Sequence, residues 1–364
     1  MRILKTFQLK FSGFKTIAIC LILLNSLSLA SIFSSLHQAG KFTGEDILLK
    51  QMIWIAFSWF MLIIFSFINF RVYFNSAYMI YAINIILLVI VLFFGKKVMG
   101  AQRWISIFGF TFQPSELSKA AIIIILARYF SLNSKSFIKG FLIPFSLVVL
   151  NALVIIKQPD LGTALILFFV FFIMGFFSKV NKLYFILTLS LGLLTSPFII
   201  NSLKYYQKQR LMVFINPNAD PLGAGYTIIQ SKIAIGSGGV IGHGYLAGTQ
   251  NQFNFLPERH TDFIFTIIAE EWGFLGVILL LMIYWFILKK IIQQLLNCRD
   301  LFAFYLIVGI SVLYFLHVFI NIGMTLGILP VVGLPLIFLS YGGTNLLINY
   351  ILMGIFLNIC QNQR

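Results

Sequence analysis

The chain has 364 residues but only ten carboxylate side chains, so they can be weighed one by one for chemistry. Asp262 lies in FLPERHTDFIF (Phe255 to Phe265), where a polar segment turns into an apolar one. Arg259, His260 and Asp262 form a compact ionisable cluster at that boundary. A carboxylate beside cations can take a proton from a reacting hydroxyl or bind the counter-charges of an anionic headgroup. Thr261 or Asp262 can equally cap the helix that follows, whose N-terminus favours a negative charge. Spacing alone leaves both readings open.

Other charges fall where a low-dielectric bundle needs a reason to hold them. Glu116 and Lys119 are three residues apart on one expected helix and share a face, so an ion pair lets both enter. Such a pair either fixes helix packing or lines a cavity. Asp160, after Gln158 and Pro159 and before a span, suits a helix N-cap as well as a site. Glu270 and Glu271 lie about 12 Å beyond Asp262 along the same helix. They serve either as a proton relay or as acceptors for polar loops packed against them. Lys204, Lys208, Arg210, Lys232 and Arg259 fall in one long irregular stretch and could attract a phosphate-bearing ligand, for which Arg offers two parallel donors. His37, His243 and His317 stand apart from one another, which gives a metal site little support. Neither a phosphate-binding P-loop nor a dinucleotide fingerprint occurs, so ATP and nicotinamide cofactors are not expected.

These residues need elements to hold them. Hydrophobic residues make up 60% of the chain and charged ones 10%, against about 25% charged in soluble domains. Apolar runs long enough for a bilayer core of about 30 Å recur throughout. The expected fold is all-α: a polytopic membrane bundle of about ten spans, at 16–36, 49–69, 76–94, 114–131, 137–156, 161–178, 182–201, 263–288, 302–326 and 343–360. The net charge of +16 is scattered between spans, which argues against nucleic acid. Short loops on one side carry most of it, among them Arg71, Arg128, Lys135, Lys179, Lys289 and Arg299, so both termini are expected in the cytoplasm. Cys20, Cys298 and Cys360 lie in or near spans, where no disulfide framework is expected. Three irregular regions then share the outer face: Gly95 to Gln113, a long loop at about 202–262, and Gly327 to Gly343. The last is apolar yet broken by Pro330, Gly333 and Pro335, which predicts a re-entrant segment packed over a cavity.

The motifs GAQRW (100–104), QPSELSK (113–119), QPDLGT (158–163), LPERHTDFIF (256–265), AEEWGFLG (269–276), NIGMTLGILPVVGLPL (321–336) and SYGG (340–343) together resemble the SEDS family (shape, elongation, division and sporulation). The resemblance runs from about residue 10 to 360 as a single transmembrane domain, and GAQRW, ERHTDF and HVFINIGM favour its elongation branch over the division branch. It implies a peptidoglycan glycosyltransferase of the bacterial cytoplasmic membrane that polymerises lipid II on the outer face. The implied partners are a class B penicillin-binding protein, which supplies transpeptidation, and other elongation-complex proteins. The family's catalytic aspartate falls on Asp262, its Glu–Lys pair on Glu116 and Lys119, and its QPD aspartate on Asp160. The chemistry is consistent. Asp262 would take the proton of the acceptor 4-hydroxyl, while Arg210 and Arg259, with Arg103 and Lys119 as further candidates, would steady the departing lipid pyrophosphate. A divalent cation, magnesium or manganese, could share that load, although no ligand cluster demands one. One displacement at an α-linked donor would invert the anomeric centre. The competing class is a transporter of the lipid-linked precursor, which should concentrate charge at the bilayer midplane instead. A non-enzymatic scaffold would need no such cluster.

Overall fold

The computed structural model describes residues 2–38, 41–42, 44–98, 101–107, 110–202, 205–223 and 225–362. Gly100 and Lys204 lie outside them. Helices dominate: α1 (Arg2–Leu36), α2 (Glu45–Phe67), α3 (Arg71–Phe94), α4 (Pro114–Ser131), α5 (Ile143–Lys157, entered through a π-helical turn at Phe137–Leu142), α6 (Leu161–Phe176) and α7 (Lys182–Ser202). Then follow α8 (Tyr205–Ile215), α9 (Tyr226–Ser237), the single turn α10 (Thr249–Gln252), α11 (Ile264–Leu295), α12 (Leu301–Thr325) and α13 (Gly343–Asn362). Seven are long and apolar enough to cross a bilayer: the Lys15–Leu36 part of α1, α2, α3, the π-turn with α5, α11, α12 and α13. The apolar stretches of α6 and α7 are shorter, and α4 carries Glu116, Lys119 and Arg128. Together these account for the ten expected spans.

Two small antiparallel sheets modify the all-helical expectation. One pairs β1 (His37–Gln38) with β2 (Lys41–Phe42); the other orders β3 (Lys96–Val98), β4 (Ala101–Ile107) and β5 (Phe110–Phe112). The segment AQRWISI is rich in the aromatic and β-branched residues that favour strands.

In a lipid-facing bundle both the interior and the exterior of a helix are apolar, so hydrophobicity does not set its orientation; packing and polar contacts do. In α12 and α13, 72% and 83% of the spanning window is buried, against 17% in α2. Together with α4, which buries Ala120 to Ala127 without interruption, they form the inside of the bundle. Phe130 meets Tyr305 at 5.7 Å between ring centroids, and Phe141 of the π-helical turn, Phe171 of α6 and Phe185 of α7 pack with tilted and edge-to-face rings. Outward faces such as Phe60, Phe67, Phe93 and Leu194 remain exposed, as lipid contact requires.

The helix α11 is broken. Gly273 has φ +63° and ψ −161°, a conformation that only glycine adopts at low cost. The glycine-rich segment after α9 enters that break: Phe274 N donates to Gly239 O at 2.9 Å, Leu275 N to Val240 O at 3.1 Å, and His243 N to Glu270 O at 3.0 Å. The same junction supplies hydrogen bonds to Glu270 and Glu271. Glu270 Oε1 accepts from Gln250 N at 2.8 Å, and Glu271 accepts from the Ser34 hydroxyl. Glu270 ties the start of α10, and Glu271 ties α1, to the broken helix.

Candidate functional site

The long stretch between α7 and α11 and the irregular segment after α12 meet at Asp262. Its backbone oxygen accepts from Asn321 Nδ2 at 2.9 Å, and the same amide nitrogen donates to Leu334 O at 2.7 Å. Ser340 Oγ donates to Thr261 O at 2.6 Å, and Tyr341 N to His260 O at 2.9 Å. Gly333, at φ +70°, passes so close that a Cβ there would stand 3.3 Å from Asp262 Oδ2. The segment is apolar, buried and irregular, so its carbonyls need donors. Side chains supply them: Asn321 to Leu334, His317 to Pro335 at 3.1 Å, and Tyr284 to Ile337 at 2.6 Å.

The Asp262 carboxylate is free of such duties. The helix α11 starts at Ile264 with Phe263 as its N-cap and no side-chain capping bond. Among the described residues no hydrogen bond reaches the Asp262 carboxylate. The group is half-buried, and its pKa is pushed up to about 7, first by burial and then by Glu258; Arg210 and Arg103 pull it back, and Asp160 adds a smaller upward push. Its charge is therefore in balance near neutral pH. His260 lies beside it with its ring 5.7 Å from that of Tyr341, and burial lowers its pKa, which favours the neutral imidazole.

The other sequence candidates divide by what they touch. Arg210, on α8, is exposed and makes one long bond of 3.3 Å to Val331 O, so its guanidinium is largely free to meet an anion. Arg103, on β4, is half-buried and holds the turn before α6 through Gln158 O at 2.8 Å and Pro159 O. Asp160 is the N-cap of α6: Oδ1 accepts from Thr163 N at 3.1 Å, and Oδ2 from Thr163 Oγ1 at 3.0 Å, with Gln113 and Ser115 at 3.3 Å. It ties α6 to the start of α4 while remaining within electrostatic reach of Asp262.

Two expectations change. Arg259, expected at the pyrophosphate, is buried and donates through Nε to Ser35 O and through Nη1 to Asn251 O, both at 2.8 Å. It clamps α10 against the end of α1. Lys119 is enclosed too, 2.7 Å from Glu116 Oε2, so it cannot reach a headgroup from where it stands. Glu116 also accepts from Asn345 Nδ2 at 2.7 Å, and Lys119 Nζ lies 3.1 Å from His317 Nε2. Asn345 and Asn321 drew no role from the sequence reading, and His317 was weighed there only as a metal ligand. The signal existed: His317, Asn321 and Thr325 recur every four residues, one polar stripe on an otherwise apolar helix.

A membrane bundle with a near-neutral carboxylate at a helix start, within electrostatic reach of Arg210 and Arg103, belongs to the class of membrane-embedded enzymes rather than simple anchors. The model of the cell cycle protein family FtsW/RodA/SpoVE matches residues 12–364. The chain belongs to this family. It is 39% identical over 329 residues to the peptidoglycan glycosyltransferase MrdB of Escherichia coli K12, covering 88% of each chain. It is 30% identical over 417 aligned positions to the peptidoglycan glycosyltransferase RodA of Treponema pallidum, covering 94% of this chain and 96% of that one. Its fold matches a solved chain from a peptidoglycan synthase complex that coordinates polymerization and crosslinking, with a TM-score of 0.80, 30% identity, and 95% of this chain and 97% of the other covered.

Proposed function

We propose that this protein is the peptidoglycan glycosyltransferase of cell elongation, polymerising lipid II at the outer face of the cytoplasmic membrane with both termini in the cytoplasm. The observation that carries the reading is Asp262: a carboxylate with no hydrogen-bond donor among the described residues, balanced near pH 7, within electrostatic reach of Arg210. In the reaction the acceptor 4-hydroxyl oxygen attacks the donor's anomeric carbon. Asp262 takes the hydroxyl proton, and the carbon–oxygen bond to the lipid pyrophosphate breaks with its electron pair on the leaving group. One displacement inverts the α-linked donor to a β-linked product, as in one-step inverting glycosidases by analogy. Arg210 is the best-placed cation for the leaving pyrophosphate, and Arg103 contributes through its charge while it holds the turn before α6.

The described residues contain no group of three or more His, Cys, Asp or Glu side chains able to cage a metal. A magnesium or manganese ion would be held by the substrate pyrophosphate itself and would supply neutralisation of the leaving group's charge, beside Arg210. The working partner is a class B penicillin-binding protein, together with other elongation proteins; the likeness to a synthase complex supports this. The placement of charge disfavours a carrier, because Asp262 and Arg210 stand outside the spans, Glu270 and Glu271 accept from Gln250 N and the Ser34 hydroxyl, and Glu116 is neutralised by Lys119.

The test is strand synthesis from purified lipid II by the solubilised protein with its penicillin-binding partner. Glycan strands support the transferase. No strands, where a known polymerase makes them, combined with movement of lipid II across liposomes by the same preparation, would favour the carrier.

A further inference from the structure

One buried chain of contacts links the inside of the bundle to the backbone under Asp262. Asn345 Nδ2 and Lys119 Nζ both lie 2.7 Å from Glu116 Oε2. Lys119 Nζ is 3.1 Å from His317 Nε2, and His317 Nδ1 is 3.1 Å from Pro335 O. His317 is wholly buried, and Glu116 and Lys119 nearly so. An ammonium only donates and a carbonyl only accepts. The partners therefore fix one tautomer: Nδ1 carries the hydrogen and Nε2 accepts. A doubly protonated ring would set two donors against each other at 3.1 Å, so this geometry holds only for the neutral imidazole.

Pro335 is two residues from Gly333, whose Cα faces the Asp262 carboxylate. One helical turn after His317, Asn321 holds both Leu334 O and Asp262 O. The same face of α12 thus suspends the irregular segment and the Asp262 backbone together.

We propose that His317 is a positioning residue for the transfer reaction, coupling the Glu116–Lys119 ion pair to the backbone that aims Asp262. This role rests on Asp262 as the base. Without the imidazole, half-buried Pro335 O loses its donor and Lys119 loses an acceptor, so the segment shifts and the carboxylate leaves its line of attack. A residue that only fills space should tolerate an apolar ring of similar shape. A coupling residue should instead tolerate an amide that both accepts and donates.

The experiment compares wild type, His317→Phe and His317→Gln in steady-state lipid II polymerisation with the penicillin-binding partner, after thermal midpoints establish that each is folded. His317→Phe should lower kcat on the order of 10- to 100-fold with KM little changed, and His317→Gln should recover much of that loss. Wild-type kcat in His317→Phe overturns the proposal. So does an equal loss in both variants, because the conservative amide would then rescue nothing. Should His317→Phe fail to fold, His317→Gln decides: near-normal kcat supports the coupling and a kcat as low as 1% of wild type refutes it. A wild type that makes no strands instead defeats the glycosyltransferase reading, and this role falls with it.

Discussion

At the residue scale the site turns on a carboxylate that the fold leaves unsatisfied. A carboxyl group in water titrates near 3.8, whereas Asp262 titrates at about 7. Between these values the folded protein holds a proton that the unfolded chain has released. Folding stability contributed by this group therefore falls as pH rises from about 4 to 7, and the penalty is complete above 7. Asp262→Asn removes the titration, so its thermal midpoint should exceed wild type at pH 8 and match it at pH 4; equal midpoints at pH 8 would mean the carboxylate is not strained. The same shift predicts that the polymerisation rate climbs with pH through about 7 as the base form appears, read from a pH–rate profile. Asp262 stood out in the sequence because an acid at a polar-to-apolar boundary is conspicuous, but its choice as base over helix cap came from the family resemblance. The direction of Arg259 was not legible in the sequence. Its chain neighbours place it near Asp262, but its bonds go to Ser35 and Asn251, contacts that no spacing encodes.

At the scale of elements, the irregular segment after α12 was expected, whereas the regions read as irregular at 95–113 and 202–262 hold β3 to β5 and α8 to α10. Proline and glycine at 330, 333 and 335 announced a broken segment, and the structure packs it under the Asp262 turn. By contrast AEEWGFLG reads as continuous helix, yet α11 breaks at Gly273 to admit the glycine-rich loop. A side chain at Gly273 would meet the backbone of Gly242 and Ile241 and require a conformation that other residues avoid. Gly273→Ala should therefore destabilise the protein by about 1–3 kcal/mol or more, visible as a lower thermal midpoint in detergent. An unchanged midpoint would show that the break is tolerant and that the loop can sit elsewhere.

At the scale of the whole molecule, the membrane character was plain from composition, but the inner layer was not. Spans that are apolar on every face give no stripe from which to tell α12 and α13, which are enclosed, from α2, which faces outward. What orders them is the small set of buried polar contacts, such as Asn25 to Tyr350 at 2.7 Å and Phe70 N to Asn358 at 2.9 Å. The proposed orientation puts the turn at Asn218 outside and Asn297 inside. With the three native cysteines replaced, a membrane-impermeant maleimide should label Asn218→Cys in intact cells and Asn297→Cys only after lysis. The reverse pattern would invert the topology and remove Asp262 from the lipid II it is proposed to act on.

The central claim is that Asp262 removes the acceptor proton, and the most direct measurement is strand synthesis by wild type and Asp262→Asn side by side at pH 8. The asparagine keeps the shape and removes only the basic oxygen. A loss of about 10²–10⁴ in rate, in a protein that folds at least as well as wild type, is the predicted result. Strands at the wild-type rate from the asparagine variant would contradict it.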